Sequence, residues 1–142
     1  MRKGILRWLP VVIAVVFGAI QFIPVDRTNP PVETEFVAGP EAAAVLRRCC
    51  YDCHSNETVW PWYSRVAPVS WFVSDHINEG RLELNFSTWN RYADADRLKK
   101  LTKVRKQVEK GKMPLKSYLL IHRHAQLSPA DISILATLAP TR

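Results

Sequence analysis

The chain has 142 residues, of which 47% are apolar and 23% charged, the proportions of a folded protein rather than a disordered or low-complexity one. The formal net charge of +7 favours acidic partners, namely an anionic membrane face, an acidic protein or nucleic acid. After a leading segment about 110 residues remain, enough to bury a modest core that a large bound cofactor would help to fill.

The N-terminus places Arg2, Lys3 and Arg7 ahead of an uncharged run from Trp8 to Val25. A run of that length is just enough to cross a hydrocarbon core of about 30 Å. The basic residues before it predict a cytoplasmic N-terminus with the remainder outside. A cleaved signal peptide is the rival, but the best cut, after Gly18, has Val16 where a small residue is wanted. Residues 1–25 are therefore expected to be a signal anchor or transmembrane helix, and both readings export the rest of the chain. Nucleic acid is accordingly not an expected partner, and the membrane is one.

Residues 26–40 are proline-rich and are expected to form an extended linker. The domain proper is expected over 41–142. The stretch E-A-A-A-V-L-R-R, 41–48, is strongly helix-forming, with Pro40 pre-set for its first turn. It runs directly into R-R-C-C-Y-D-C-H. Pro68 can open a second helix that Gly80 ends, with Val69, Phe72, Val73, His76 and Ile77 on one face. A third helix is expected over about 94–110, with Leu98, Leu101, Val104 and Val108 as its apolar stripe. G-K-M-P (111–114) breaks it, and a short helix is expected over 115–122. In L-S-P-A-D-I, Ser128 has the character of an N-cap, Pro129 of a first helical residue and Asp131 of a first-turn acid. No strand is evident, so the fold class is all-α.

The three cysteines fall within 49–53. Only one register, Cys50-Tyr51-Asp52-Cys53-His54, sets a histidine directly after the second cysteine of a C-x-x-C. This is the attachment signature of c-type haem. Two thiols form thioethers with the two porphyrin vinyl groups, and the adjacent histidine ligates the iron from beneath the ring. The expected cofactor is one covalent haem c with its iron. Three other readings stand beside it: a dithiol redox pair, a zinc site shared with His122 and His124, and a structural disulfide with one leftover thiol. Cys49 is most simply a small buried residue.

Iron held by His54 has a second axial position. Met113 in G-K-M-P is the first candidate, since Gly111 frees the backbone and Pro114 stiffens the loop. His76 on its apolar helix face is the alternative. His/Met ligation raises the reduction potential, whereas an open position would admit a small ligand or peroxide. Trp60, Trp62, Tyr63, Trp71 and Trp89 suit the surroundings of a flat macrocycle, and Arg65 and Arg81 are candidates for its propionates. Residues 97–116 hold nine basic residues against Glu109 alone, which would steer an acidic redox partner.

Helix, C-x-x-C-H, M-P loop and a last helix headed by L-S-x-x-D-I resemble a class I monohaem c-type cytochrome. The set C-H-S-N-E-T, W-P-W-Y-S, A-P-V-S-W, H-I-N-E-G-R, L-N-F-S-T-W and M-P-L resembles a family of bacterial exported proteins named for a haem-binding domain, over about residues 36–138. The resemblance implies a small cytochrome c-like helical domain around one haem. It sits behind an N-terminal transmembrane helix, on the periplasmic side of the bacterial inner membrane. The family name implies a monohaem domain without a settled reaction, and the expected role is electron transfer rather than enzymatic turnover. A haem-based sensor or a haem peroxidase with an open distal site is the alternative. The long aromatic insert between the motif and the M-P loop departs from ordinary small cytochromes.

Overall fold

The computed structural model describes residues 2–139; Met1 and residues 140–142, which the expected spans 1–25 and 41–142 include, lie outside the described residues. The described chain is helical, as the pattern of its elements predicts, and among the described residues there is no strand. Only an isolated parallel bridge joins Thr34 and Thr88. The helices are α1 (Arg2–Ile20), α2 (Pro40–Cys49), α3 (Tyr51–His54), α4 (Val69–Glu83), α5 (Asp94–Glu109), α6 (Lys116–Leu119) and α7 (Pro129–Ala136), with short 3₁₀ turns between them. By compactness they fall into two units. One comprises the residues up to Thr28 with Trp60–His76, and the other comprises Asn29–Val59 with the residues from Ile77 onward.

In the first unit the expected span Trp8–Val25 is not one helix. α1 stops at Ile20 and Gln21–Ile23 form turns ahead of Pro24. From Trp8 to Ile20 the helix is about 20 Å long at the α-helical rise. Among the described residues, no helix is long and apolar enough to cross a membrane. Large apolar side chains of α1 from Trp8 to Phe17 are nonetheless exposed, Trp8 and Val15 among them.

The second unit has the larger core, in which Leu46 of α2, Phe86 and Leu135 of α7 are wholly buried. Cys49, Tyr51 and Val108 pack into the same cluster. α2 starts with Pro40 at its first position, as expected. α7 carries a complete capping box: the Ser128 side chain accepts from the Asp131 backbone, and Asp131 accepts from the Ser128 backbone. Asp131 also pairs with Arg48 at 2.8 Å, and Arg48 donates to the carbonyl of His124. A residue two positions before Cys50 thus ties α2 to α7.

Part of the proline-rich segment is docked. Glu33 and Phe36 donate backbone N–H groups to Ser87 and Phe86, and Trp89 donates back to Thr34. The Phe36 ring lies 4.5 Å from Trp89 and 5.5 Å from Phe86. Burying these rings outweighs the flexibility that the local composition suggests.

α4 passes through Gly80 and ends at Glu83, so Gly80 does not terminate it. The glycine has a packing role. A Cβ there would lie 2.5 Å from the Cys53 carbonyl oxygen and 3.2 Å from the Cys53 Cβ. Without a side chain, the last turns of α4 approach the backbone of the cysteine motif.

Candidate haem-binding site

α2 carries the chain into the motif. The helix breaks for one residue at Cys50 (φ −126°, ψ −34°) and resumes as α3. The backbone bonds bridge the break, Cys50 N–H to Leu46 at 2.8 Å and His54 N–H to Cys50 at 2.9 Å. Cys50, Cys53 and His54 therefore sit on one short helical stretch. All three cysteines are free thiols. Burial pushes the Cys50 thiol up to about 12 and the Cys53 thiol up to about 11. Cys49 belongs to the apolar core, 7% exposed, and its thiol is likewise raised by burial.

His54 is held by its ring. Nδ1 lies 2.8 Å from the Gly80 carbonyl oxygen and 3.1 Å from that of Leu84. Carbonyl oxygens only accept, so Nδ1 carries the proton and donates it. Nε2 is left as the lone-pair nitrogen. Burial lowers the basicity of the ring, against the opposing effect of the two carbonyls, so the imidazole is neutral at physiological pH. A neutral imidazole fixed through Nδ1 to backbone carbonyls is the form in which histidine ligates iron. The donor set thus fits a haem: two thiols three residues apart, then a pre-oriented Nε2.

The surrounding loops explain several residues whose role is not apparent in the sequence. The S-N-E-T stretch after the motif and the L-N-F-S stretch after α4 interlock. Phe86 N–H donates to the His54 carbonyl at 2.8 Å, Asn56 N–H donates to Ser87 Oγ, and Asn85 Nδ2 donates to Asn56 Oδ1 at 2.8 Å. Asn56, Asn85 and Ser87 are buried, where satisfied polar groups fix one arrangement and unsatisfied ones are costly. Arg81, a candidate for a propionate, instead clamps the motif loop. It donates to the Ser55 carbonyl at 2.9 Å, to Thr58 Oγ1 and to Asn29 Oδ1. Buried asparagine and serine are hard to recognise in a sequence, because the same residues are usually turn formers.

Met113 lies just beyond a Schellman turn. Gly111, at φ 61°, donates to the Val108 carbonyl, and Lys112 N–H reaches back to Gln107 at 2.9 Å. The expected freedom of Gly111 is thus used at a left-handed position. Met113 and Cys50, both partly buried, each pack against the same apolar core. The chain after Met113 is tied to the motif as well, since Tyr118 donates to Asp52 Oδ2 at 2.7 Å. Asp52 is one of the two residues between Cys50 and Cys53.

The other histidines are placed differently. His76 belongs to the first unit, and its Nδ1 is 2.9 Å from the Phe72 carbonyl one turn earlier. The His122 ring stacks on Tyr118 at 4.2 Å and lies 5.7 Å from the His124 ring. Among the described residues no three His, Cys, Asp or Glu side chains group as a metal site. The five aromatic residues expected to gather around a cofactor are divided. Trp89 packs in the second unit with Phe36 and Phe86, whereas Trp60, Trp62, Tyr63 and Trp71 belong to the first. Arg65 ends the 3₁₀ turn Trp62–Arg65 in the first unit.

The helical fold and this donor set define a haem protein. A sequence model described as a haem-binding domain matches residues 15–140, and the chain belongs to that family. No curated protein matches the chain, and no solved structure does.

Proposed function

We propose that the chain is a monohaem c-type protein that carries electrons and transforms no substrate. Cys50 and Cys53 would hold the haem through two thioethers, each a balanced addition of S–H across one vinyl group that needs no oxidant. His54 Nε2 and the Met113 sulfur would hold its iron. The haem, once bound, supplies an iron that takes up and releases one electron. The observation that carries this reading is the His54 ring, whose Nδ1 is committed to two backbone carbonyls and whose Nε2 is thereby kept for a metal. Methionine as the sixth ligand would raise the potential. Its support is the Gly111 turn, which fixes the backbone before it.

The partner in this reading is an acidic redox protein. Lys106, Lys110, Lys112 and Lys116 surround the methionine loop in sequence, and none makes an ion pair among the described residues. Arg97, Lys99, Lys103 and Arg105 are paired with acids. The N-terminal segment, basic and then apolar, takes the domain to the outer side of the bacterial inner membrane and holds it there.

Carbon monoxide binding to the reduced, haem-loaded full chain tests the ligand assignment. The wild type is expected to resist it, and Met113→Ala is expected to bind at once. Immediate binding by the wild type, unchanged in Met113→Ala, would remove Met113 from the iron and favour the sensor or peroxidase alternative. Loss of that binding in a His76→Ala variant would then point to His76 as a distal-pocket residue.

A further inference from the structure

The aromatic insert W-P-W-Y-S-R, 60–65, has no role in the site described above. It is joined instead to the chain that leaves α1. Gln21 makes a two-bond pair with Ala67, donating from Nε2 to its carbonyl at 3.2 Å and accepting its N–H at 2.9 Å. Arg27 donates to the Ser64 carbonyl at 3.3 Å, and Ser74 Oγ donates to the Asp26 carbonyl at 2.8 Å. These bonds make the insert and the end of α1 one structural piece.

That piece leaves large apolar groups in the open. Trp62 is 77% exposed, Phe22 88%, Phe72 51% and Ile23 50%. One exposed aromatic residue would need no explanation, but several on hydrogen-bonded segments, continuous with an exposed apolar helix, mark an interaction surface. Its continuity with the end of α1 identifies what covers it. The charges beside it balance, Arg27 and Arg65 against Asp26 and Asp75, so the apolar rings carry the contact. A tryptophan-bearing apolar surface joined to an apolar N-terminal helix matches the interface of a bilayer, where indole and phenol rings settle at the headgroup level.

We propose that the 60–72 segment is a membrane-interface foot, which inserts Trp62 and Phe72 at the headgroup level beside the end of α1. It rests on the reading that the N-terminal segment meets the membrane and is independent of haem. The test uses the haem-loaded full chain on vesicles of phosphatidylcholine containing phosphatidylglycerol and a lipid with a photoactivatable group near its headgroup. Lipid adducts are mapped by mass spectrometry. Adducts are expected on α1 and on the 60–72 peptide. A Trp62→Ser/Phe72→Ser chain with unchanged helicity and haem spectrum is expected to partition about tenfold less, since two partly buried aromatic rings are lost. Adducts on α1 alone, with unchanged partitioning of the variant, would overturn the foot and leave the N-terminal contact intact. No adduct on α1 would overturn the N-terminal contact itself. Self-association abolished by the double substitution, with no adducts on 60–72, would assign the surface to a second copy and overturn the membrane assignment.

Discussion

Replacing Gly80 by alanine separates two opposite expectations. In an ordinary exposed helix, Gly→Ala stabilises by about 0.4–1 kcal/mol, because alanine has the higher helix propensity and restricts the unfolded chain. Here the new methyl would meet the Cys53 carbonyl oxygen at 2.5 Å and its Cβ at 3.2 Å. Ordinary van der Waals contact would need nearly 1 Å more, and both atoms are held on helical backbone rather than on a flexible chain end. Overpacking of this kind costs about 1–3 kcal/mol. The same displacement stretches the bond from His54 Nδ1 to the Gly80 carbonyl, now 2.8 Å, which contributes about 1 kcal/mol. The opposing terms leave Gly80→Ala destabilised by about 1–3 kcal/mol. Urea unfolding of the haem-loaded protein measures this, and the optical spectrum reports whether His54 has moved. A variant as stable as the wild type, with an unchanged spectrum, would refute the close approach of α4 to the motif as the reason for glycine.

Other substitutions probe the remaining supports. Tyr118→Phe removes the bond to Asp52 and is expected to cost about 1 kcal/mol in urea unfolding and to change the carbon monoxide binding rate of the reduced protein. An unchanged rate would mean that this bond does not position the methionine loop. Asp131→Asn addresses pH. The Ser128 backbone N–H and then Arg48 hold the Asp131 carboxyl below the usual carboxylate range. A lowered carboxylate adds stability above its unfolded value and loses it as pH falls through the lowered one. The wild type is thus expected to lose stability on acidification over that window, and Asp131→Asn to lose less there while being about 1 kcal/mol weaker at pH 7. Coincident acid-unfolding curves would contradict this. Alkylation of the haem-free chain at pH 8 tests the thiols. With Cys50 pushed up to about 12, its thiolate fraction is expected to be far below that of the unfolded chain and its initial rate at least tenfold lower, the greater nucleophilicity of a more basic thiolate offsetting part of the difference. Equal rates would show that the motif is open.

The parts of the chain that could be anticipated are those with local causes. The capping box at Ser128, the proline start of α2 and the glycine turn before Met113 depend on neighbours in sequence, and each is realised as expected. The C-x-x-C-H spacing is likewise local, and so is the short helix that carries it. Features that could not be anticipated depend on distant partners. Gly80 reads as a helix stop until the Cys53 carbonyl is placed against it. Arg81 reads as a candidate for a propionate, and Asn85 as an ordinary turn former, until the loop after the motif is laid beside them. Trp62 and Trp89 both suit the surroundings of a macrocycle in sequence, whereas in the structure Phe36 packs on Trp89 and Trp62 is exposed. The end of α1 at Ile20 is hidden from hydropathy, which does not register the turns at Gln21–Ile23.

The most direct measurement is whether the haem survives denaturation on the chain. The full chain would be matured with haem, then unfolded, extracted with acidified acetone and examined by intact mass beside Cys50→Ala, Cys53→Ala and Cys49→Ala. Covalent attachment predicts one haem mass on the wild type and on Cys49→Ala, the covalent adduct destroyed or reduced to a single thioether in the other two, and no extractable haem from the wild type. Complete extraction from the wild type, in a preparation where a control c-type cytochrome keeps its haem, would contradict it and leave a haem protein without the covalent bond.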